Sequence, residues 1–138
     1  MLPEIWGPYA WNFIHLVTLD YPLYPTDSEK KHYKEYFTML VYVLPCDKCK
    51  HNLFQNIKKH PLTDTVLSCR KNLVRWGIDL HNIVNYHTGK PILSYTVALN
   101  AINNLVNPQK KNNNLSYLII GIMILIGIYI VYKYIKRN

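Results

Sequence analysis

Apolar residues recur at helical intervals along most of this chain, and prolines and glycines separate the runs. A first run begins after Pro3 and ends before Pro22. Thr26 and the acidic residues after it favour the start of a second helix, which continues to about Val43. Three further helices are predicted, over residues 46–59, 66–87 and 95–105. No alternation typical of strands occurs, so the pattern predicts an all-α protein: a four-helix bundle plus a short fifth helix.

The C-terminal part of the chain has a different pattern. The polar residues 107–114 predict a linker after a domain over residues 1–106. Residues 115–132 carry no charge, and a helix over them would be about 27 Å long, close to the roughly 30 Å hydrocarbon core of a bilayer. We therefore expect a transmembrane helix over 115–134 and a short basic tail over 135–138. The alternative is a buried core helix.

The net charge of the chain does not by itself indicate a binding partner. There are 16 Lys and Arg against 8 Asp and Glu, a net charge of +8. The basic residues are scattered or paired and interleave with acids, which favours a solvated surface and no nucleic-acid partner. The N-terminus lacks the pattern of a signal peptide. We expect a chain anchored by its C-terminal helix, with the preceding domain in the cytosol.

The sequence Cys46-Asp47-Lys48-Cys49 has two possible chemistries. Pro45 places Cys46 at a helix start, where free N–H groups and nearby lysines favour a reactive thiolate, so the pair can cycle between dithiol and disulfide. The second possibility is zinc, held by the remaining cysteine and a histidine together with this pair. That set would be Cys46, Cys49, Cys69 and either His51 or His60. These residues alone leave both possibilities open.

Two helix faces carry imidazoles next to other ring or amide side chains. His81, Val84 and Asn85 share one face by their spacing, and Trp11 and His15 share another. Each residue taken singly also fits a structural role. Together with Lys90 just beyond the fourth helix, the two faces indicate a cofactor with an aromatic ring system and a pyrophosphate.

These motifs together resemble the Erv/ALR family of flavin-linked sulfhydryl oxidases. Four blocks carry the resemblance over about residues 4–105: Trp6-Gly7-Pro8 with Trp11 and His15, Leu44-Pro45-Cys46-Asp47-Lys48-Cys49, Trp76 followed by His81-Asn82-Ile83-Val84-Asn85, and Gly89-Lys90. The short chain most resembles the minimal members encoded by large DNA viruses, of the African swine fever virus type. A viral origin would place the protein in host cytoplasm or in a virion.

The resemblance implies a helical bundle that binds FAD, usually as a homodimer. It implies that Cys49 faces the flavin ring and that Cys46 meets substrate thiols, with O2 reduced to hydrogen peroxide. The histidines would contact the cofactor and would not act as bases. The implied FAD-binding residues are Gly7, Trp11, His15, Trp76, His81, Asn82, Val84, Asn85 and Lys90.

The chain departs from many members of that family in its cysteines. No second, distal cysteine pair is present, so protein dithiol substrates or a small thiol carrier protein must reach Cys46 directly. Cys69 has no intrachain partner outside the C-x-x-C pair; we expect it to be buried, or else to cross-link two chains. The alternative function is a zinc-stabilised, membrane-tethered helical binding module.

Overall fold

The computed structural model describes residues 1–108 and 114–137. The chain forms two compact units, Met1–Pro108 and Gln109–Asn138. The described elements are α1 (Pro3–Asp20), α2 (Asp27–Val43), α3 (Asp47–Lys59), a 3₁₀ turn (Val66–Ser68), α4 (Arg70–His87), α5 (Tyr95–Val106) and α6 (Asn114–Arg137). No strand occurs among these residues, which confirms the all-α prediction.

Local capping explains where several of these helices begin. Thr26 forms a capping box at α2, in which its side chain accepts a hydrogen bond from the Glu29 N–H while the Glu29 carboxylate accepts one from the Thr26 N–H. The Ser94 hydroxyl caps α5 by accepting from the Val97 N–H. Pro3 occupies the first turn of α1, where a missing N–H costs nothing.

The core of the first unit lies between α1, α2, α3 and α4. Helix α1 packs on α4 and α5, α2 packs on α3, and α3 contacts α4. Tyr21, Phe37 and Leu73 are almost completely buried in this core. The Tyr21 hydroxyl donates to the Leu67 carbonyl, so this buried polar group is satisfied. The arrangement fixes α4 against α1, which positions the candidate site described below.

The prediction of one continuous helix from residue 66 to 87 was wrong. A 3₁₀ turn ends at Ser68, Cys69 is extended (φ −163°, ψ 163°), and α4 begins only at Arg70. The Leu67 carbonyl accepts a hydrogen bond from the distant Tyr21 hydroxyl. The Asn72 side chain bonds the Ser68 hydroxyl and the Thr65 carbonyl. These side-chain bonds replace helical ones and break the helix.

The second unit contains α6. Among the described residues, no helix is long and apolar enough to cross a membrane, so the predicted transmembrane helix is not confirmed. Most of the predicted linker, residues 109–113, lies outside the described residues, as does Asn138 of the predicted tail.

Candidate active site

The C-x-x-C motif forms a disulfide at the start of α3. Cys46 and Cys49 are bonded to each other, with their Cα atoms 5.1 Å apart. Cys46 is the N-cap of α3, and its Sγ accepts a hydrogen bond from the Cys49 N–H at 3.2 Å. Because this N–H and the helix dipole point at the sulfur, they would stabilise a thiolate on Cys46 after reduction. Both cysteines are partly exposed, so a thiol can reach the disulfide.

The ligand set required for zinc does not come together. The described residues contain no group of three or more His, Cys, Asp or Glu side chains that could hold a metal ion. Cys46 and Cys49 are bonded to each other, and Cys69 is a free thiol at the N-cap of α4. Cys69 is partly exposed, which corrects the expectation that it is buried.

A cluster of three rings joins α1 to α4. The Trp11 and His81 rings stack, with centroids 4.1 Å apart and planes 6° from parallel. His15 Nε2 lies 2.9 Å from His81 Nδ1, a hydrogen bond in which one imidazole donates to the other. The structure thus brings together the two helix faces that the sequence pattern singled out.

Burial keeps both imidazoles of this cluster neutral. Desolvation lowers the pKa of His15 to about 4. The pKa of His81 is also lowered to about 4, first by desolvation and then by the charges of His15 and Lys90. Both pKa values lie well below neutral pH, so each imidazole presents one donor and one acceptor there. Neither imidazole is suited to act as a cation at this pH.

Several other predicted site residues lie on the same two helices near these rings. Asn85 is buried, one helical turn beyond His81, and its carbonyl accepts a hydrogen bond from the Lys90 N–H at 2.8 Å. Gly89, with φ +69°, allows the chain to turn back there. Val84, on α4, is partly buried. Gly7, also partly buried, lies on α1 one turn before Trp11.

Trp76 and Asn82 have partners within the fold. The Trp76 indole N–H donates to the His60 carbonyl at 2.9 Å, and its ring meets Phe37 edge to face in the core. The Asn82 amide donates to the Leu93 carbonyl and accepts from the Leu93 N–H. Asn82 thereby ties α4 to the segment before α5. Their contact with a cofactor remains a prediction from the resemblance.

Sequence reasoning missed two residues that shape the ring cluster. A Cβ on Gly77 would lie 3.2 Å from Thr18 Cγ2 and 3.9 Å from His15 Nδ1, so glycine permits the close approach of α4 to α1. The Thr18 hydroxyl, which is fully buried, donates to the His15 carbonyl. A glycine inside a predicted helix costs about 1 kcal/mol relative to alanine, and that cost was the available signal for Gly77.

The chemistry of the ring cluster fits a planar cofactor. Trp6 Nε1 and His15 Nδ1 are buried without a hydrogen-bond partner among the described residues. A ligand with polar edges would satisfy such atoms. The stacked rings offer an aromatic surface, and exposed Lys90 offers a cation for phosphate. The residues present therefore fit FAD.

An all-helical bundle with an accessible C-x-x-C disulfide at a helix start defines a thiol–disulfide redox protein. Residues 8–113 match the Erv1/Alr family. The chain belongs to the Erv1/Alr family.

Relatives of this chain are named as sulfhydryl oxidases. It is 50% identical over 113 residues to the probable FAD-linked sulfhydryl oxidase of Acanthamoeba polyphaga mimivirus, covering 82% of this chain and 79% of that protein. It is 31% identical over 91 residues to the FAD-linked sulfhydryl oxidase of African swine fever virus (isolate Warthog/Namibia/Wart80/1980), covering 66% of this chain and 74% of the viral protein. The crystal structure of the FAD-binding domain of Saccharomyces cerevisiae Erv1 is similar, with a TM-score of 0.66 and 28% identity over 71% of this chain and 90% of that one.

Proposed function

We propose that this chain is an FAD-linked sulfhydryl oxidase that forms disulfide bonds in protein substrates. Substrate thiols reduce the Cys46–Cys49 disulfide, and bound FAD would supply the onward transfer of the electrons to O2, with hydrogen peroxide as the product. The observation that carries the proposal is that disulfide, held at the start of α3 in a member of the Erv1/Alr family.

The ring cluster and its neighbours would hold FAD. Trp11 and His81 would contact a flat ring system, while His15 Nδ1 and Trp6 Nε1 would hydrogen-bond its polar edges. Lys90 would neutralise phosphate. The other residues in this role are Gly7, Trp76, Asn82, Val84 and Asn85. When bound, FAD accepts two electrons from a dithiol and passes them to O2.

The chemistry at the cysteines is thiol–disulfide exchange. A substrate thiolate attacks Cys46 Sγ, which forms a mixed disulfide, breaks the Cys46–Cys49 bond and releases Cys49 as a thiolate. A second substrate thiolate then attacks the substrate sulfur of the mixed disulfide. The substrate leaves oxidised by two electrons, and Cys46 leaves as a thiolate. The pair of electrons now resides on reduced Cys46 and Cys49.

The hydrogen bond at the start of α3 supports Cys46 as the residue that meets substrate. The second exchange expels Cys46 as the leaving group, and a stabilised thiolate leaves faster. The Cys49 N–H donates to Cys46 Sγ and would supply that stabilisation. Cys49 would then be the residue that delivers electrons to the flavin.

Replacement of one cysteine tests the oxidase. The purified wild-type protein is expected to be yellow and to consume O2 when given dithiothreitol. Cys49→Ser should bind flavin normally but lower turnover at least about a thousandfold, because the variant lacks the Cys49 thiolate that would reduce the cofactor and cannot form the disulfide. Flavin absorbance and an oxygen electrode provide the two measurements. Cys69→Ser is the matched control and should retain activity. A colourless wild-type protein with no O2 uptake would reject the proposal.

We also propose that the protein acts as a homodimer. Ile5, Tyr9 and Phe13 are all exposed and follow one another at intervals of one turn on α1, so they form a single apolar face. Such a face favours a self-complementary contact between two copies. Sedimentation equilibrium should give twice the mass of the chain.

We further propose that α6 attaches the protein to a membrane, with the first unit on the cytosolic side. Two observations support this proposal. Residues 115–132 carry no charge, and the large apolar side chains described between residues 119 and 130 are exposed. The full chain should float with liposomes in a density gradient and resist extraction by carbonate. The fragment of residues 1–108 should stay at the bottom of the gradient. Equal flotation of both would contradict this proposal.

A further inference from the structure

Exposed apolar side chains lie at the end of α2 that leads into Cys46. Met39, Tyr42 and Val43 are each more than half exposed. Their spacing of three and four residues places them on one face of the last turns of α2. Val43 precedes Cys46 by three residues, so their Cα atoms are at most about 11 Å apart.

The start of the chain contributes two more apolar residues to the same region. The Met1 ammonium group donates a hydrogen bond to the Pro45 carbonyl at 3.2 Å. Met1 and its neighbour Leu2 therefore lie next to the residue that precedes Cys46, and both are mostly exposed. We define the apolar patch as these two residues together with the three on α2: Met1, Leu2, Met39, Tyr42 and Val43.

A polypeptide substrate that reaches Cys46 comes close to this region. The sequence contains three cysteines, and none forms a second pair that could carry electrons to Cys46 from elsewhere. A substrate sulfur must come within bonding distance of Cys46 Sγ. Successive Cα atoms are about 3.8 Å apart. Substrate residues two or three positions from the reacting cysteine can therefore lie as far from Cys46 as Val43 does.

The charges near the disulfide offset one another except at Lys48, which is exposed between the two cysteines. Asp47 and Lys50 form an ion pair with each other at 3.0 Å. The side chains between α2 and the disulfide are Leu44 and Pro45, which are apolar. Apolar residues of a folded protein are mostly hidden, whereas an unfolded chain exposes them next to its reduced cysteines. The matching occupant is thus an unfolded apolar segment.

We propose that the apolar patch binds the unfolded, apolar segment that flanks a substrate cysteine. The proposal rests on the oxidase function and adds to it a choice of substrate. The enzyme selects reduced chains before they fold and has no such preference among small hydrophilic thiols. Substrate residues bind to the patch while their cysteine exchanges with Cys46.

The test compares two reduced peptides and one small thiol. Both peptides carry the same cysteine pair, flanked by Leu and Phe in one and by Ser and Gly in the other. The wild-type KM should be about tenfold lower for the apolar peptide, which corresponds to about 1.4 kcal/mol. Tyr42→Gln combined with Val43→Gln should remove that difference. The kcat for the peptides and the kcat/KM for dithiothreitol should stay within about twofold of wild type.

Tyr24 provides the matched control. It is 93% exposed, compared with 64% for Tyr42. It lies between α1 and α2, at the ends of these helices away from Cys46. Tyr24→Gln should leave every kinetic constant unchanged, and Tyr42→Phe should keep the preference for the apolar peptide.

Three results would overturn the inference. One is an equal KM for both peptides with the wild-type enzyme. The second is a preference that survives in the double variant. The third is a wild-type dimer that becomes a monomer when Tyr42 and Val43 are changed, which would make the patch an interface between copies. Absence of dithiothreitol oxidation by the wild type would instead reject the oxidase function itself.

Discussion

His15, which is buried, and His81, which is partly buried, are linked by one hydrogen bond between their imidazoles. Two neutral imidazoles satisfy that bond with a single shared proton, and a protonated pair would place two donors and two positive charges against each other. Gly77 lets α4 approach α1 closely beside His15, and the Thr18 hydroxyl donates to the His15 backbone carbonyl. The pair can therefore tolerate neutral pH but not acid.

Acid should destabilise the fold through this pair. The pKa of each histidine is about 4 in the folded protein, below the ordinary value of 6.5. Above pH 6.5 both histidines are neutral in the folded and in the unfolded protein. As the pH falls from about 6.5 to about 4, the unfolded chain binds protons first, so the free energy of unfolding decreases. One pKa unit corresponds to about 1.4 kcal/mol, so the loss should reach a few kcal/mol.

Denaturant unfolding at a series of pH values measures this loss. The wild-type free energy of unfolding should fall between pH 6.5 and 4. The double variant with His15→Gln and His81→Gln should show a shallower slope in that window, whatever its stability at pH 7.5. Parallel curves for the two proteins would show that other groups cause the acid sensitivity.

At the scale of the element, α2 depends on its first turn. Thr26 and Glu29 exchange two side-chain-to-backbone hydrogen bonds there. A capping threonine satisfies a backbone N–H that has no partner inside the helix. Thr38, on the same helix, donates only to the Lys34 carbonyl, which the helix can satisfy without it.

Removal of the cap should therefore cost more than removal of the interior hydroxyl. Thr26→Ala is expected to lower the free energy of unfolding by about 1 kcal/mol. Thr38→Ala makes the same chemical change inside α2 and should alter it by less than about 0.5 kcal/mol. Urea titrations of the three proteins give both values. Equal effects would mean that the box does not stabilise α2.

Local signals in the sequence predicted most element boundaries. Caps and prolines placed the ends of α1, α2 and α3 within about two residues. The break at Cys69 was missed because one of the hydrogen bonds that cause it comes from Tyr21, which is distant in sequence. Likewise, the spacing of each histidine from its neighbours on the same helix predicted two separate faces. The hydrogen bond between His81 and His15 could not be predicted, because it depends on how α1 packs on α4.

At the scale of the whole molecule, the first unit contains the residues proposed for catalysis and for FAD binding. Its buried core is drawn from residues 14–102. A fragment that ends at Pro108 therefore keeps every element from α1 to α5.

This fragment should fold and work alone. Residues 1–108 are expected to unfold at the same thermal midpoint as the first unit does in the detergent-solubilised full chain. The fragment should also match the full chain in flavin absorbance and in the rate of dithiothreitol oxidation. Calorimetry and the oxygen electrode provide the comparison, with the full chain as the reference. A fragment that expresses only as an aggregate, or that loses flavin, would show that the second unit contributes to the fold or to the site.

The contact between the Met1 ammonium and the Pro45 carbonyl has a practical consequence for protein production. Any affinity tag added ahead of Met1 would replace that ammonium with a peptide bond and place the added residues next to the catalytic disulfide. Kinetic data from such a fusion would report partly on the tag, which could compete with protein substrates or shield the sulfur from them. Purification through a tag after Pro108 leaves the contact between Met1 and Pro45 undisturbed.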